Sequence, residues 1–135
     1  MSAITSGRET CEQIITGYLN RINQYNSTLG AVVSINPLAA QEARKLDDEF
    51  RTTKKVYEFL HCAPVLVKDS IDVKGMATTM GLNAFRQLIP NTDAEVIKSV
   101  RKYGAIILGK ANMSPLSDKE AWGKNTNTLL QPQVG

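Results

Sequence analysis

Lys68 follows an apolar segment in which a charged ammonium is expensive to keep. Residues 64–72 read PVLVKDSID, and the β-branched residues before the lysine predict a strand. A lysine that is partly desolvated at a strand end loses its charge easily, and the neutral amine can act as a general base towards a hydroxyl. The alternative is structural, since the last residues of a strand also turn polar where the strand leaves the core and meets water.

Three polar residues next to Lys68 are candidate acid/base or supporting groups: Asp69, Ser70 and Asp72. Side chains alternate along a strand, so Ser70 and Asp72 are expected on the face of Lys68. Lys68 therefore has polar neighbours on its own face. One predicted face carries Leu66, Lys68, Ser70 and Asp72, and the other carries Val65, Val67, Asp69 and Ile71.

A loop rich in glycine and threonine follows, over residues 74–81. Thr78, Thr79 and Gly81 lie in this loop. Taken alone, glycine and threonine between a strand and a helix are typical of plain turn chemistry.

Further motifs surround this region in a definite order. They lie at residues 18–22, 36–39, 43–47, Asp72, Gly75, residues 92–94 and residues 104–114. With Lys68 and the threonine loop, this order closely resembles the amidase signature family of Ser-Ser-Lys hydrolases. The resemblance runs from about residue 9 to about residue 114. It implies that Thr78, Thr79 and Gly81 are the candidate substrate-loop residues, which line an acyl-binding or oxyanion pocket in the family.

The resemblance implies an α/β fold, with a mixed sheet flanked by helices, that is truncated to the N-terminal part of an amidase domain. It also implies that Lys68 is the catalytic lysine, which deprotonates a serine that in turn activates a second, nucleophilic serine. Both serines belong to a Gly-Gly-Ser-Ser-Gly-Gly-Ser segment beyond the lysine, and residues 1–135 contain no such segment. Where the family has Leu-His-Gly before the lysine strand, Cys62 takes the place of the glycine; a cysteine there is strained if the turn needs a positive φ.

Three functional classes stay open. The chain is part of a split or truncated amide C–N hydrolase, with the serine segment elsewhere. Alternatively it is a pseudoenzyme that binds or scaffolds without hydrolysis. The third class is an enzyme with repurposed chemistry that uses Lys68 with the neighbouring Asp and Ser residues.

Composition limits the partners. The chain of 135 residues carries 16 basic and 13 acidic residues, interleaved rather than clustered, which gives no electrostatic case for nucleic acid or an anionic membrane. Cys11, Cys62 and the single His61 have no metal-ligand spacing, so no metal or cofactor is predicted, and both cysteines are expected as free thiols. The N-terminus lacks an apolar signal-like region, which predicts a cytoplasmic protein.

The other elements alternate as in an α/β layer, and residues 1–135 are interpreted as a single domain. Thr5 or Ser6 is expected to cap the first helix, and Asp93 the last. Gly109-Lys110-Ala111 does not form a phosphate loop, because Ala111 replaces the required Ser or Thr and the motif overlaps a predicted strand. Helices are predicted over residues 10–26, 37–50 and 94–103, and strands over residues 31–35 and 105–108 in addition to the lysine strand.

The predicted strands also indicate association. Residues 65–67 and 105–108 are apolar enough to need cover on both faces, as in a sheet larger than this chain can build. A truncated sheet exposes an edge and an apolar patch, which natural monomers rarely tolerate. A homo-oligomer or a complex with a second protein chain is therefore expected, with a small amide-like compound as a possible ligand.

Overall fold

The structure is a computed structural model, and it describes Ile4, residues 6–57 and residues 59–113. This part of the chain forms a three-stranded mixed sheet flanked by helices, as predicted. Strand order is β1-β3-β2, with β1 antiparallel and β2 parallel to the central β3. The elements are α1 (Cys11–Leu29), β1 (Val32–Ile35), α2 (Ala39–Thr53), β2 (Pro64–Lys68), a 3₁₀ turn (Asn83–Phe85), α3 (Glu95–Lys102) and β3 (Ile106–Ala111).

The helix positions are confirmed, but the predicted caps are wrong. Thr10, not Thr5 or Ser6, caps α1 through a capping box in which Thr10 and Gln13 bond each other's backbone N–H groups. At α3 the N-cap is Ala94, which provides no side-chain cap. The Asp93 carboxylate instead accepts a hydrogen bond from the backbone N–H of Lys74, at 2.7 Å. Tertiary partners thus compete with local capping for a carboxylate.

Two apolar clusters cover the two faces of β3, which confirms its predicted double-sided burial. One cluster packs the strand against α1 and α2, and the other packs it against α3 and the loop after β2. The first contains Ile4, Cys11, Ile15, Ala39, Ala43, Leu46, Cys62, Ile106 and Leu108. The second contains Val67, Val73, Met76, Ile97 and Ile107.

A β-bulge interrupts the pairing of β2 with β3. Val65 pairs with Ile107, but the next residue, Leu66, pairs with Gly109, so Leu108 is the extra residue. Gly109 also lies against β1, where a Cβ atom would sit 2.3 Å from the carbonyl oxygen of Ser34. Only glycine fits this approach without displacing the β1 backbone.

Cys11 and Cys62 form a disulfide, so the prediction of free thiols is wrong. The residues are 51 positions apart in sequence, but their Cα atoms lie 5.6 Å apart because the fold places the start of α1 against the turn before β2. Both cysteines are buried. Cys62 has a φ of 61°, so a left-handed backbone conformation is required where the family motif has glycine.

Cys62→Gly and Cys62→Ala separate the two properties of this position. Both variants remove the disulfide, which closes a loop large enough to contribute about 4 kcal/mol by chain entropy. Glycine adopts the left-handed conformation freely, so Cys62→Gly is expected to lose about 1 kcal/mol less unfolding free energy than Cys62→Ala. Urea unfolding with and without reductant measures both effects. If reductant does not lower the unfolding free energy of the wild-type protein, the disulfide is contradicted.

His61 is buried beside this turn, between two aromatic rings. Its imidazole stacks on Tyr57, with ring centroids 6.0 Å apart, and meets Phe50 edge-on. Burial lowers the pKa of His61, while the carboxylates of Asp47 and Glu49 oppose the shift by attracting the imidazolium. The neutral ring is therefore favoured in the folded protein.

A lowered His61 pKa makes stability depend on pH. The unfolded chain binds the proton more readily, so unfolding free energy falls as pH drops below about 6.5, by at most ~1.4 kcal/mol per pH unit. His61→Gln should remove this part of the slope. Urea midpoints measured from about pH 7.5 to 5 test it. Parallel curves for wild type and variant would show that His61 does not cause the dependence.

Candidate functional site

Lys68 is the last residue of β2, and its side chain is exposed. The predicted alternation along this strand is confirmed, since Val67 is buried while Leu66 and Lys68 face solvent on the other side. The expected desolvation of Lys68 is not found. On this side of the sheet α1 packs against Leu108 of β3, but Leu66 of β2 remains 42% exposed.

Asp69 points to the opposite side and is fully buried. Its carboxylate forms an ion pair with Lys110 of β3, whose side chain is also fully buried, at 3.4 Å between Oδ1 and Nζ. The Lys110 ammonium donates two further hydrogen bonds, to the carbonyl oxygen of Ala77 at 3.1 Å and to Oγ1 of Thr78 at 3.2 Å. The ammonium thus has three partners for its three protons.

The threonine loop wraps around the same carboxylate. The hydroxyl of Thr79 donates to Oδ2 of Asp69, and the backbone N–H of Thr79 lies 3.3 Å from Oδ1. The N–H of Met80 donates to the carbonyl oxygen of Asp69 at 3.2 Å, and that of Gly81 to the Thr79 hydroxyl. The structure therefore brings Asp69, Thr78, Thr79 and Gly81 together directly behind the end of β2.

Ser70 and Asp72 are exposed and lie outside this buried cluster. The carbonyl oxygen of Asp72 accepts a hydrogen bond from the N–H of Ala94, which joins the segment after β2 to the start of α3. Whether these two side chains assist Lys68, as the sequence suggests, stays a prediction.

Lys110 is the residue that sequence reasoning missed. Burial lowers its pKa, and the charge and hydrogen bonding of Asp69 oppose that shift, with a further attraction from Asp72. The available signal was a lysine two residues after the fully apolar run 105–108, inside the same strand, because a buried lysine must be paired. Strict alternation of side chains along β3 would instead have placed Lys110 on the face of Ile106 and Leu108.

An apolar groove opens on the Leu66 side of the sheet. It has a volume of about 320 Å³ and lies between α1 and the sheet. Tyr18, Tyr25 and Leu29 on α1 remain substantially exposed beside it. The groove and Lys68 therefore lie on the same side of the sheet, where α1 covers β3 but leaves β2 partly exposed.

No group of three potential metal-ligating side chains occurs among the described residues. None of the helices described in residues 4–113 has the length and apolarity of a membrane-spanning segment.

Comparison with known proteins decides the family. The Amidase family profile matches residues 13–118. The chain belongs to the Amidase family. It is 40% identical over 115 residues to a protein of Arabidopsis thaliana named as a probable amidase, covering 83% of this chain and 22% of that protein.

Other relatives match the same N-terminal part. The chain is 31% identical over 130 residues to a protein of Exiguobacterium sibiricum named as one subunit of glutamyl-tRNA(Gln) amidotransferase, covering 96% of this chain and 26% of the relative. The crystal structure of peptide amidase from Stenotrophomonas maltophilia superimposes with a TM-score of 0.79 at 35% identity, covering 84% of this chain and 24% of the enzyme. The chain thus spans about a quarter of the relatives it matches.

The different burial of Lys68 and Lys110 can be measured by chemical labelling. Lys68 should be acylated at a rate similar to that of the exposed Lys45 and Lys54, because its amine is accessible. Lys110 should react at least about tenfold more slowly, until the protein unfolds. Peptide mapping after competitive acylation measures each rate. Rapid labelling of Lys110 in the folded protein would contradict the buried ion pair.

Proposed function

We propose that this chain supplies the lysine-bearing part of an amide C–N hydrolase. Lys68 would act as the base that takes a proton from a serine, and that serine would relay the effect to the nucleophile. The serine segment would lie on further residues of the same protein or on another chain. The observation that carries the proposal is the position of Lys68, at the end of a strand anchored from behind by the Asp69–Lys110 pair.

The partly exposed face of β2 supports a further covering segment or chain. Leu66 and Lys68 project from the same face, and the apolar groove lies on that side of the sheet. A covering surface would bury this apolar area and exclude water from Lys68. Exclusion of water favours the neutral amine, which is the form that a general base requires.

The proposal includes a partner for the exposed surface. A second protein chain or a further copy of this chain would cover the exposed part of β2, and a small amide-like ligand would bind beside Lys68. Some relatives are named as subunits, which is consistent with a partner chain. Absence of nucleic-acid and membrane binding stays a prediction from the charge distribution.

Two other functions compete with hydrolysis. The exposure of Lys68 favours a pseudoenzyme, because a general base must be held within hydrogen-bond reach of the hydroxyl that it deprotonates, and this side chain projects into solvent. Repurposed acid/base chemistry would use Lys68 with Ser70 and Asp72 on its exposed side. Asp69 is less suited to that role, because its carboxylate is already engaged by Lys110 and Thr79.

The cellular location also remains a proposal. The sequence predicts the cytoplasm, but the Cys11–Cys62 disulfide weighs against a reducing compartment, where such bonds are rare. Alkylation of cysteines in freshly lysed cells, before any oxidation, shows the redox state of this pair. Reduced thiols are expected in the cytoplasm, and an intact disulfide is expected in an oxidising compartment.

The Lys68→Ala variant tests the proposed hydrolase function. It is purified from the natural source of the protein, together with any chains that bind it. The variant should lower turnover of aryl amides by at least about a thousandfold, because a catalytic-triad member is lost. It should also slow the labelling of a serine by a fluorophosphonate probe. Lys98→Ala is the matched control, because Lys98 lies in an exposed ion pair on α3.

Two outcomes would contradict the proposal. Turnover that survives Lys68→Ala would show that Lys68 is not the base. A native assembly without a Gly-Gly-Ser-Ser-Gly-Gly-Ser segment in any chain, by peptide mass spectrometry, and without probe labelling would favour the pseudoenzyme.

A further inference from the structure

We propose that Lys110 is a positioning residue for Lys68. Its buried ammonium binds the carboxylate of Asp69 and the loop after β2, and so fixes the backbone from which Lys68 projects. The catalytic part of this inference rests on the proposed function, whereas the structural part does not.

The contacts of Lys110 exclude direct chemistry at this amine. All three ammonium protons have acceptors, on Asp69, Ala77 and Thr78, and the side chain is inaccessible to solvent. A group that is fully coordinated and enclosed cannot reach a substrate. Its three partners lie on two separate segments, so its effect is to join them.

The path from Lys110 to Lys68 is short. Lys110 pairs with Val67 in the parallel ladder, and its ammonium binds the side chain of Asp69. Lys68 lies between these two held residues. The carbonyl oxygen of Lys68 also accepts a hydrogen bond from the N–H of Ile71, at 3.0 Å, so its peptide group is fixed on the carbonyl side as well.

The bulge in β3 gives Lys110 its direction. Without the extra residue Leu108, the alternation of β3 would place Lys110 on the side of Ile106, facing α1 and α2. The bulge restores Lys110 to the side of Val67 and Asp69. Gly109 permits the bulge to lie against β1, because it has no Cβ to clash with Ser34. The backbone irregularity, the glycine and the lysine therefore act together.

The loop depends on the same ion pair. The Asp69 carboxylate faces the backbone N–H and hydroxyl of Thr79, while Lys110 binds the preceding residues Ala77 and Thr78. Removal of the ammonium leaves the carboxylate buried and uncompensated, which favours opening of the loop to water. Opening would free the end of β2, including Lys68.

Lys110→Met removes the ammonium and retains a long apolar side chain. Native-state hydrogen exchange should then be at least about tenfold faster at the backbone amides of Ile71, Thr79 and Met80, through local opening. Amides in the middle of α1 and α2 should change only with global stability. Lys98→Met, in the exposed pair with Glu95, is the control and should change neither group.

The enzyme provides an independent test. In the native assembly, Lys110→Met should lower kcat at least about tenfold with KM within about twofold, because misplacement of a catalytic group affects the reaction more than substrate binding. Equal protection changes in the loop and in α1 would reduce Lys110 to a global stabilising role and overturn the proposal. Unchanged loop exchange in the folded variant would also overturn it.

A double variant covers the case in which Lys110→Met does not fold. Asp69→Leu with Lys110→Met removes both charges, so no unpaired ion is left in the core. It should fold, with fast exchange in the loop and low kcat; normal loop protection with full activity would overturn the proposal. If the wild-type assembly shows no Lys68-dependent turnover, the proposed function fails, but the exchange measurements still decide whether Lys110 fixes the strand end.

Discussion

The buried ion pair between Lys110 and Asp69 is the interaction on which the candidate site depends. Both side chains are fully excluded from solvent, so each charge needs the other. Loss of one partner from such a pair typically costs about 3–5 kcal/mol, since the remaining charge is left uncompensated. The pair therefore selects one arrangement of β2, β3 and the threonine loop, and Lys68 emerges from that arrangement.

The opposite face of the sheet is stabilised by apolar packing and by a disulfide. There α1 and α2 bury apolar side chains against Ile106 and Leu108, and the Cys11–Cys62 disulfide joins the start of α1 to the turn before β2. The same turn is fixed by a hydrogen bond from the N–H of Cys62 to the carbonyl oxygen of Gly104. Both ends of β2 are thus restrained. The disulfide restrains the turn before the strand, and the Asp69–Lys110 ion pair restrains the end of the strand.

Membership of the Amidase family gives this restraint a functional context. The chain matches about a quarter of its relatives' length, and an apolar groove lined by Leu66 opens on the side of β2 that carries Lys68. Under the proposed function, Lys68 is held at a fixed place but is exposed to water, so it lacks the enclosed environment that a general base needs. The proposed covering chain or segment would supply that environment by excluding water.

The sequence by itself determined the local elements and the alternation of β2. Local sequence is enough to recognise the apolar spacing of α1, the β-branched run before Lys68 and the family motifs, because each consists of residues that are close along the chain. Only the tertiary structure decided the partner of Asp69, the cysteine pairing and the role of Asp93. Those depend on contacts between distant residues and on a bulge at Leu108 that reverses the expected direction of Lys110. A periodic pattern predicts which face a residue occupies only while the strand stays regular.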